Sequence, residues 1–221
     1  MGDGSARTYV SSDASGNPTE VGIRMTATAL DNLPSTPVTG IMYDLALPAA
    51  AGQTPFDHVS FDWNPKGHDP SPTYAIPHFD AHFYMQSMAA QHTISTDDPK
   101  GDILPDTALF LPTGYLTPPN VVPGRTVRMM GRHWVDKLSP ENLPGGVFNS
   151  TFIYGSYDGH VIFLEPMFVK SMLTPSVNFT AAVKQPKKYE VPGKYYPTRY
   201  FIRYDAATKE YVIALTELVK R

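Results

Sequence analysis

Residues 77–84 read PHFDAHFY, and the fold turns on whether this run is a strand or a helix. Side chains on a strand face alternately to opposite sides. His78, Asp80, His82 and Tyr84 then share one face, and Phe79, Ala81, Phe83 and Met85 share the other. The alternation is clean, so the run reads as a strand with an apolar face for a core and a polar face of unusual composition. That polar face has two readings. It is a wet or hydrogen-bonded surface that happens to be rich in histidine, or it carries ligands for a metal ion. Residues two apart on a strand lie about 6.6 Å apart and residues four apart about 13 Å. Asp80 can therefore share an ion with either histidine, whereas His78 and His82 share one only across a bulge or a bend. On a helix the two would sit one turn apart and pair naturally. The spacing permits all three arrangements and does not choose among them.

The surrounding chain favours strands. Segments 20–30, 41–47, 58–63, 121–135, 151–157 and 160–169 have strand-like composition, as does the short Ala108–Leu111 segment. Asn64-Pro65 and the proline-punctuated stretch 66–77 supply a stop and a loop. Met85–His92 has helical propensity and reads as a short helix. Asp158-Gly159 is a hairpin turn signal between two strands. RYFIRY (199–204) and EYVIAL (210–215) flank Asp205–Lys209 as a C-terminal hairpin. No apolar period of 3.6 is sustained anywhere. Roughly nine or ten short strands among 22 prolines predict an all-β fold: a single barrel-like or sandwich domain with short helical turns. Residues 20–221 are assigned to that domain, and the polar stretch 1–19 to a flexible N-terminal segment.

Composition narrows the function. The 221 residues are 42% apolar, enough for a core, and the net charge of −3 comes without a basic stripe, which argues against nucleic acid. No run of about eighteen apolar residues is present, so no membrane-spanning segment is expected. There is no cysteine, so disulfides and thiolate metal sites are excluded. The phosphate-cradling and nucleophile-elbow glycine motifs are missing.

A metal site needs ligands from more than one segment. Three further residues stand out among the seven histidines and the acids. His133 in MGRHWVD lies at the end of an apolar strand. Glu165 in VIFLEPMF is a carboxylate that is costly to bury unless paired or coordinated. His68 in GHDP sits on a loop able to fold over the site. Each has a plain structural alternative: a strand end facing water, an ion pair with an arginine, a turn. Imidazoles with one carboxylate suit zinc, iron, manganese or copper, and not calcium. The expected metal ligands are His78, His82, His133 and Glu165, with His68 in reserve and Asp80 as a substitute ligand. Asp80, Tyr84 or Tyr74 would orient a ligand or accept a proton.

WNPKGHDPSPTYAIPHFDAHFY, MGRHWVD and FIYGSYDGHVIFLEPMF together resemble signature blocks of a small bacterial family. Its best-known member is a Thermus thermophilus protein under sigma-E/anti-sigma-E control. The resemblance implies a β-rich, exported protein, periplasmic or extracellular, that forms a ring-like homo-oligomer. It brings no established reaction, and it reaches His68, His78, Asp80, His82, His133 and Glu165. The expectation is an exported protein with a divalent transition metal in a β-barrel pocket. As an enzyme it would be a metal-dependent hydrolase, lyase or oxidoreductase acting on a small oxygenated substrate. The alternatives are a non-catalytic protein that binds a small ligand or a metal, and an oligomeric stress or structural protein.

Overall fold

Short alternating segments separated by proline and glycine cannot bury enough surface alone, and the chain resolves this by stacking two antiparallel sheets. A computed structural model describes residues 1–36, 40–117 and 126–221. Twelve strands occur among the described residues: β1 (Ala6–Ser12), β2 (Pro18–Thr26), β3 (Ile41–Ala46), β4 (His58–Asn64), β5 (His78–Tyr84), β6 (Tyr115–Leu116), β7 (Arg132–Asp136), β8 (Ser150–Tyr157), β9 (His160–Val169), β10 (Asn178–Ala182), β11 (Tyr195–Asp205) and β12 (Glu210–Lys220). One sheet has the order β1-β2-β12-β11-β10 and the other β3-β4-β5-β9-β8-β7-β6. Among the described residues both keep free edges, so the all-β expectation resolves into a sandwich and not a closed barrel.

The main core lies between the sheets. Val21, Ile23, Met25, Ile213 and Leu215 from the smaller sheet meet Val59, Phe61, Phe79, Phe83 and Phe168 from the larger one. These are the inward halves of the alternating patterns. The outer face of the larger sheet is buried as well. Tyr84, Phe163, Met167, Ile153 and Val135 form a second cluster there with Tyr74, Ile94 and Phe148 from the covering loops. Every residue of β4 and β5 is consequently buried. Polar residues on the outer face of these strands thus have little direct exposure.

Local chemistry explains most turns. Asp158 and Gly159 both have positive φ, 52° and 82°, as a tight turn with strand-matching twist requires, and they join β8 to β9. The C-terminal hairpin pairs Asp205 with Glu210 as anticipated.

Three expectations are corrected. Ala108–Leu111 is not a strand: Thr107–Phe110 forms a helical turn, because the Asp106 carboxylate accepts from the Ala108 amide at 3.1 Å and caps it. In the long segment 121–135, residues 121–125 lie outside the described residues. Met129 and Gly131 take positive φ, and β7 begins only at Arg132. The N-terminal stretch holds an ordered strand. β1 pairs with β2 from Ala6↔Met25 to Val10↔Val21, and the Asp13 carboxylate accepts from the Ser15 and Asn17 amides to close the turn. An edge strand with one open face stays polar, which disguises it in sequence.

The inter-sheet core predicts a contrast between two residues of β12. Ile213→Ala, at a fully buried position, should cost about 2–5 kcal/mol in denaturant unfolding. Val219→Ala, at a position 41% exposed, should change stability by less than about 0.5 kcal/mol.

Candidate metal centre

β4 and β5 pair in a register that sets Ser60 opposite His82, Asp62 opposite Asp80 and Asn64 opposite His78. All six point to the outer face. β9 lies on the other side of β5 and contributes Glu165. His133 is brought in from β7, two strands further on, by a glycine. His133 pairs with Gly155 on β8, which pairs with Phe163 on β9. A Cβ at Gly155 would overlap the Phe163 ring. Its absence lets that ring lie over β8, where both histidines meet it edge to face, at centroid distances of 4.9 Å for His82 and 5.4 Å for His133.

The candidate ligands fall into two triads whose donor atoms converge, His82/His133/Glu165 and His68/His78/Asp80. In the first, Glu165 Oε2 lies 3.5 Å from His82 Nε2 and 3.9 Å from His133 Nε2. Behind it, Asp62 Oδ2 faces His82 Nδ1 at 3.1 Å, within ion-pair range but not aligned as a hydrogen bond. A carboxylate behind a histidine is the usual means of fixing which ring nitrogen is offered to a metal. In the second triad, His78 Nε2 and His68 Nε2 each lie 3.2 Å from an Asp80 oxygen, and Asn64 donates to Asp80 Oδ2 at 2.7 Å. The single ligand set expected from the sequence is thus divided. His78 does not join His82, as the strand spacing requires.

Seven of the eight buried side-chain polar atoms that lack a hydrogen-bond partner, among the described residues, belong to Asp62, His78, Asp80, His82 and Glu165. Leaving such atoms dry and unpaired costs about 1–3 kcal/mol each, more when charged. The other histidines of the sheet and its rim have partners. His58 contacts Asp57 and Gln91, His92 contacts Asp44, and His160 contacts Glu190.

A cavity of about 640 Å³ opens over the site. Asp62, His68, Asp80, His82, His133 and Glu165 line it together with the apolar Met42, Met130, Val135 and Ile153. That volume is typical of a small-molecule site. Tyr74 also lines it and donates to Glu141 at 3.3 Å, which ties the loop bearing His68 to the segment after β7. Tyr84 is not among the lining residues. Its hydroxyl donates to the Met129 carbonyl at 3.0 Å, and its ring stacks between those of His58 and His82.

Burial and mutual charge pull the titrating groups far apart. Burial disfavours the His82 cation, but Glu165 and Asp62 outweigh it and raise its pKa to about 9. For His68 burial is likewise overridden, here by Asp80, with the same outcome of about 9. His133 drops to about 3 through burial and the neighbouring charge of His82. Glu165 rises to about 8, chiefly by burial. Asp80 falls well below the carboxylate range, since the neighbouring charges of His78 and His68 and the hydrogen bond to His68 overcome its burial.

The site defines a class: a β-sandwich protein with a histidine–carboxylate pocket on the outer face of its larger sheet. Residues 13–63 match the family described as "TTHB210-like: Hypothetical protein TTHB210", in line with the resemblance read from the sequence. The match ends within β4, so it includes Asp62 but none of the six candidate ligands. No curated protein and no solved structure matches the chain.

Sequence reasoning missed Asp62, Asn64 and Gly155. The first two were accessible, because the alternation of HVSFDWN places them on the face of His58. Gly155 had no local signal, since its role depends on a ring from the next strand.

Two outcomes follow. Gly155→Ala should destabilise the fold by about 1–3 kcal/mol through overpacking, with a larger loss of metal affinity than of stability, read by thermal unfolding and metal titration. The pH dependence is set by the raised groups. A histidine with a raised folded pKa stabilises fully below its unfolded value, and that stability is lost as pH rises through the folded value. For His68 and His82 the window runs from 6.5 to about 9. Glu165, raised from 4.5 to about 8, acts in the same direction. The Tm of chelator-treated protein should therefore fall from pH 6.5 to 9, with His82 and Glu165 contributing more than the half-exposed His68. Saturating metal should remove the decline, because an ion displaces these protons. A flat profile without metal would contradict these charge assignments.

Proposed function

We propose that this protein binds a divalent transition metal through His82, His133 and Glu165, and that it is a metal-dependent enzyme, a hydrolase or lyase, acting on a small oxygenated substrate. The observation that carries the proposal is the concentration of unpaired buried nitrogen and oxygen atoms at the wall of a substrate-sized cavity. Two neutral imidazoles and a carboxylate match zinc, iron, manganese or copper and leave coordination positions open. A bound ion would act as a Lewis acid toward a substrate oxygen or a water.

The chain's own residues have separable tasks. Asp62 holds the His82 ring so that Nε2 faces Glu165. Tyr84 supports the same ring from one side, and with its hydroxyl committed to Met129 it positions rather than reacts. The apolar lining from Met42, Met130, Val135 and Ile153 limits water around the ligand atoms. Asp80, also on the cavity wall, is placed to hold polar groups beside the first triad. Export to the periplasm or the exterior, and assembly into a homo-oligomer, belong to the same proposal and draw their support from the family resemblance.

Elemental analysis of untagged protein is the direct test. About one equivalent or more of a transition metal should be present after reconstitution. His82→Ala and His133→Ala should each weaken binding at least about tenfold. Chelation should lower the Tm. Less than about 0.2 equivalents of any transition metal after reconstitution would reject the proposal. Metal binding without turnover across a broad panel of esters, amides and phosphoesters would instead identify a non-catalytic binding protein.

A further inference from the structure

We infer that His68, His78 and Asp80 hold a second divalent cation beside the first, making the cavity wall a two-ion centre. The inference rests on the metal reading of the first triad and adds to it. His78 Nδ1 lies 2.7 Å from the Ile76 carbonyl, and His68 Nδ1 lies 2.7 Å from the Asp69 carbonyl. A carbonyl oxygen only accepts, so each Nδ1 carries a proton. Nε2 is the remaining nitrogen of each ring, and both face Asp80 from 3.2 Å, that of His68 as a hydrogen bond and that of His78 out of alignment for one. With the rings neutral, both Nε2 lone pairs and an Asp80 oxygen converge on one point, and a cation bound there would take the place of the protons that otherwise hold these contacts. His78 is fully buried, and neither its Nε2 nor Asp80 Oδ1 has a hydrogen-bond partner. Backbone carbonyls behind ring nitrogens and Asn64 behind Asp80 give all three ligands the outer support expected of metal ligands.

Charge also bears on the substrate. Asp62, Asp80 and Glu165 lie on one wall, each at most 3% exposed. Ionised, they total −3. With the ligand histidines neutral, two divalent ions leave the wall at +1. A doubly loaded site therefore favours an anionic substrate. Asp80 and His82 lie two residues apart on β5, so the ions would sit roughly one strand repeat apart, about 6–7 Å. That is a span for a substrate with two oxygens, longer than the bridge made by a single shared oxygen.

The test is equilibrium uptake of Mn²⁺ by the intact chain, read by elemental analysis and electron paramagnetic resonance. Wild-type protein should take up two equivalents with a spectrum broadened by spin–spin coupling. His68→Ala, at a half-exposed position, should take up one with an uncoupled spectrum. His82→Ala should also retain one, and the double variant none, each checked for folding by circular dichroism. His78→Gln, which keeps most of the ring's volume, repeats the test from the buried side. One equivalent in wild type that His68→Ala retains and His82→Ala loses would overturn the second site while leaving the first intact. No uptake by wild type would overturn both, and loss with His68→Ala but not with His82→Ala would overturn the first triad alone.

Discussion

Asp62, Asp80 and Glu165 are almost fully buried on one face of a β-sheet, and the rest of the site is arranged around the cost of keeping them there. An ionised carboxylate removed from water needs a partner charge or a full set of hydrogen bonds. Asp80 has Asn64 and two histidines, Asp62 has His82, and Glu165 has His82 and His133. Few of these contacts are aligned as hydrogen bonds. Elsewhere in the same sheet the polar side chains are well satisfied, as in the chain from His58 through Gln91 to Ser60 and Asp44. The contrast within one sheet face separates a structural polar network from the candidate metal centre.

The constraint exists because the larger sheet is covered on both sides. Its inner face packs on the smaller sheet, and its outer face lies under the loop 65–77 and the segments around Ile94, Met129 and Phe148. A sandwich with a wet outer face would leave His78, Asp80 and His82 solvated and unremarkable in energy. The loops also supply chemistry: His68 arrives on the first of them, and Tyr74 fastens that loop through Glu141 to the far end of the pocket. Lateral reach across the sheet depends on packing, since an imidazole on β7 approaches one on β5 only because Gly155 yields its space to Phe163.

Much of this was legible along the chain. Strict alternation in 78–84 and 58–64 assigned faces, and an all-β fold followed from turn chemistry and the lack of helical periodicity. His68, His78, Asp80, His82, His133 and Glu165 stand out as polar residues among apolar neighbours, and all six gather in one region. Their division was only half visible. Strand spacing warned that His78 and His82 would not share an ion, yet nothing local says that His68 joins His78 while His133 joins His82. The edge strand 6–12 escaped notice because its exposed side carries no hydrophobic signal.

The sequence by itself determined which residues could act as ligands and which side of each strand they occupy, because side-chain alternation is a local property of an extended backbone. Tertiary structure alone decided which ligands meet and how much water reaches them. Those outcomes depend on strand order, cross-strand register and the loops above the sheet, and these are set by packing among segments distant in the chain.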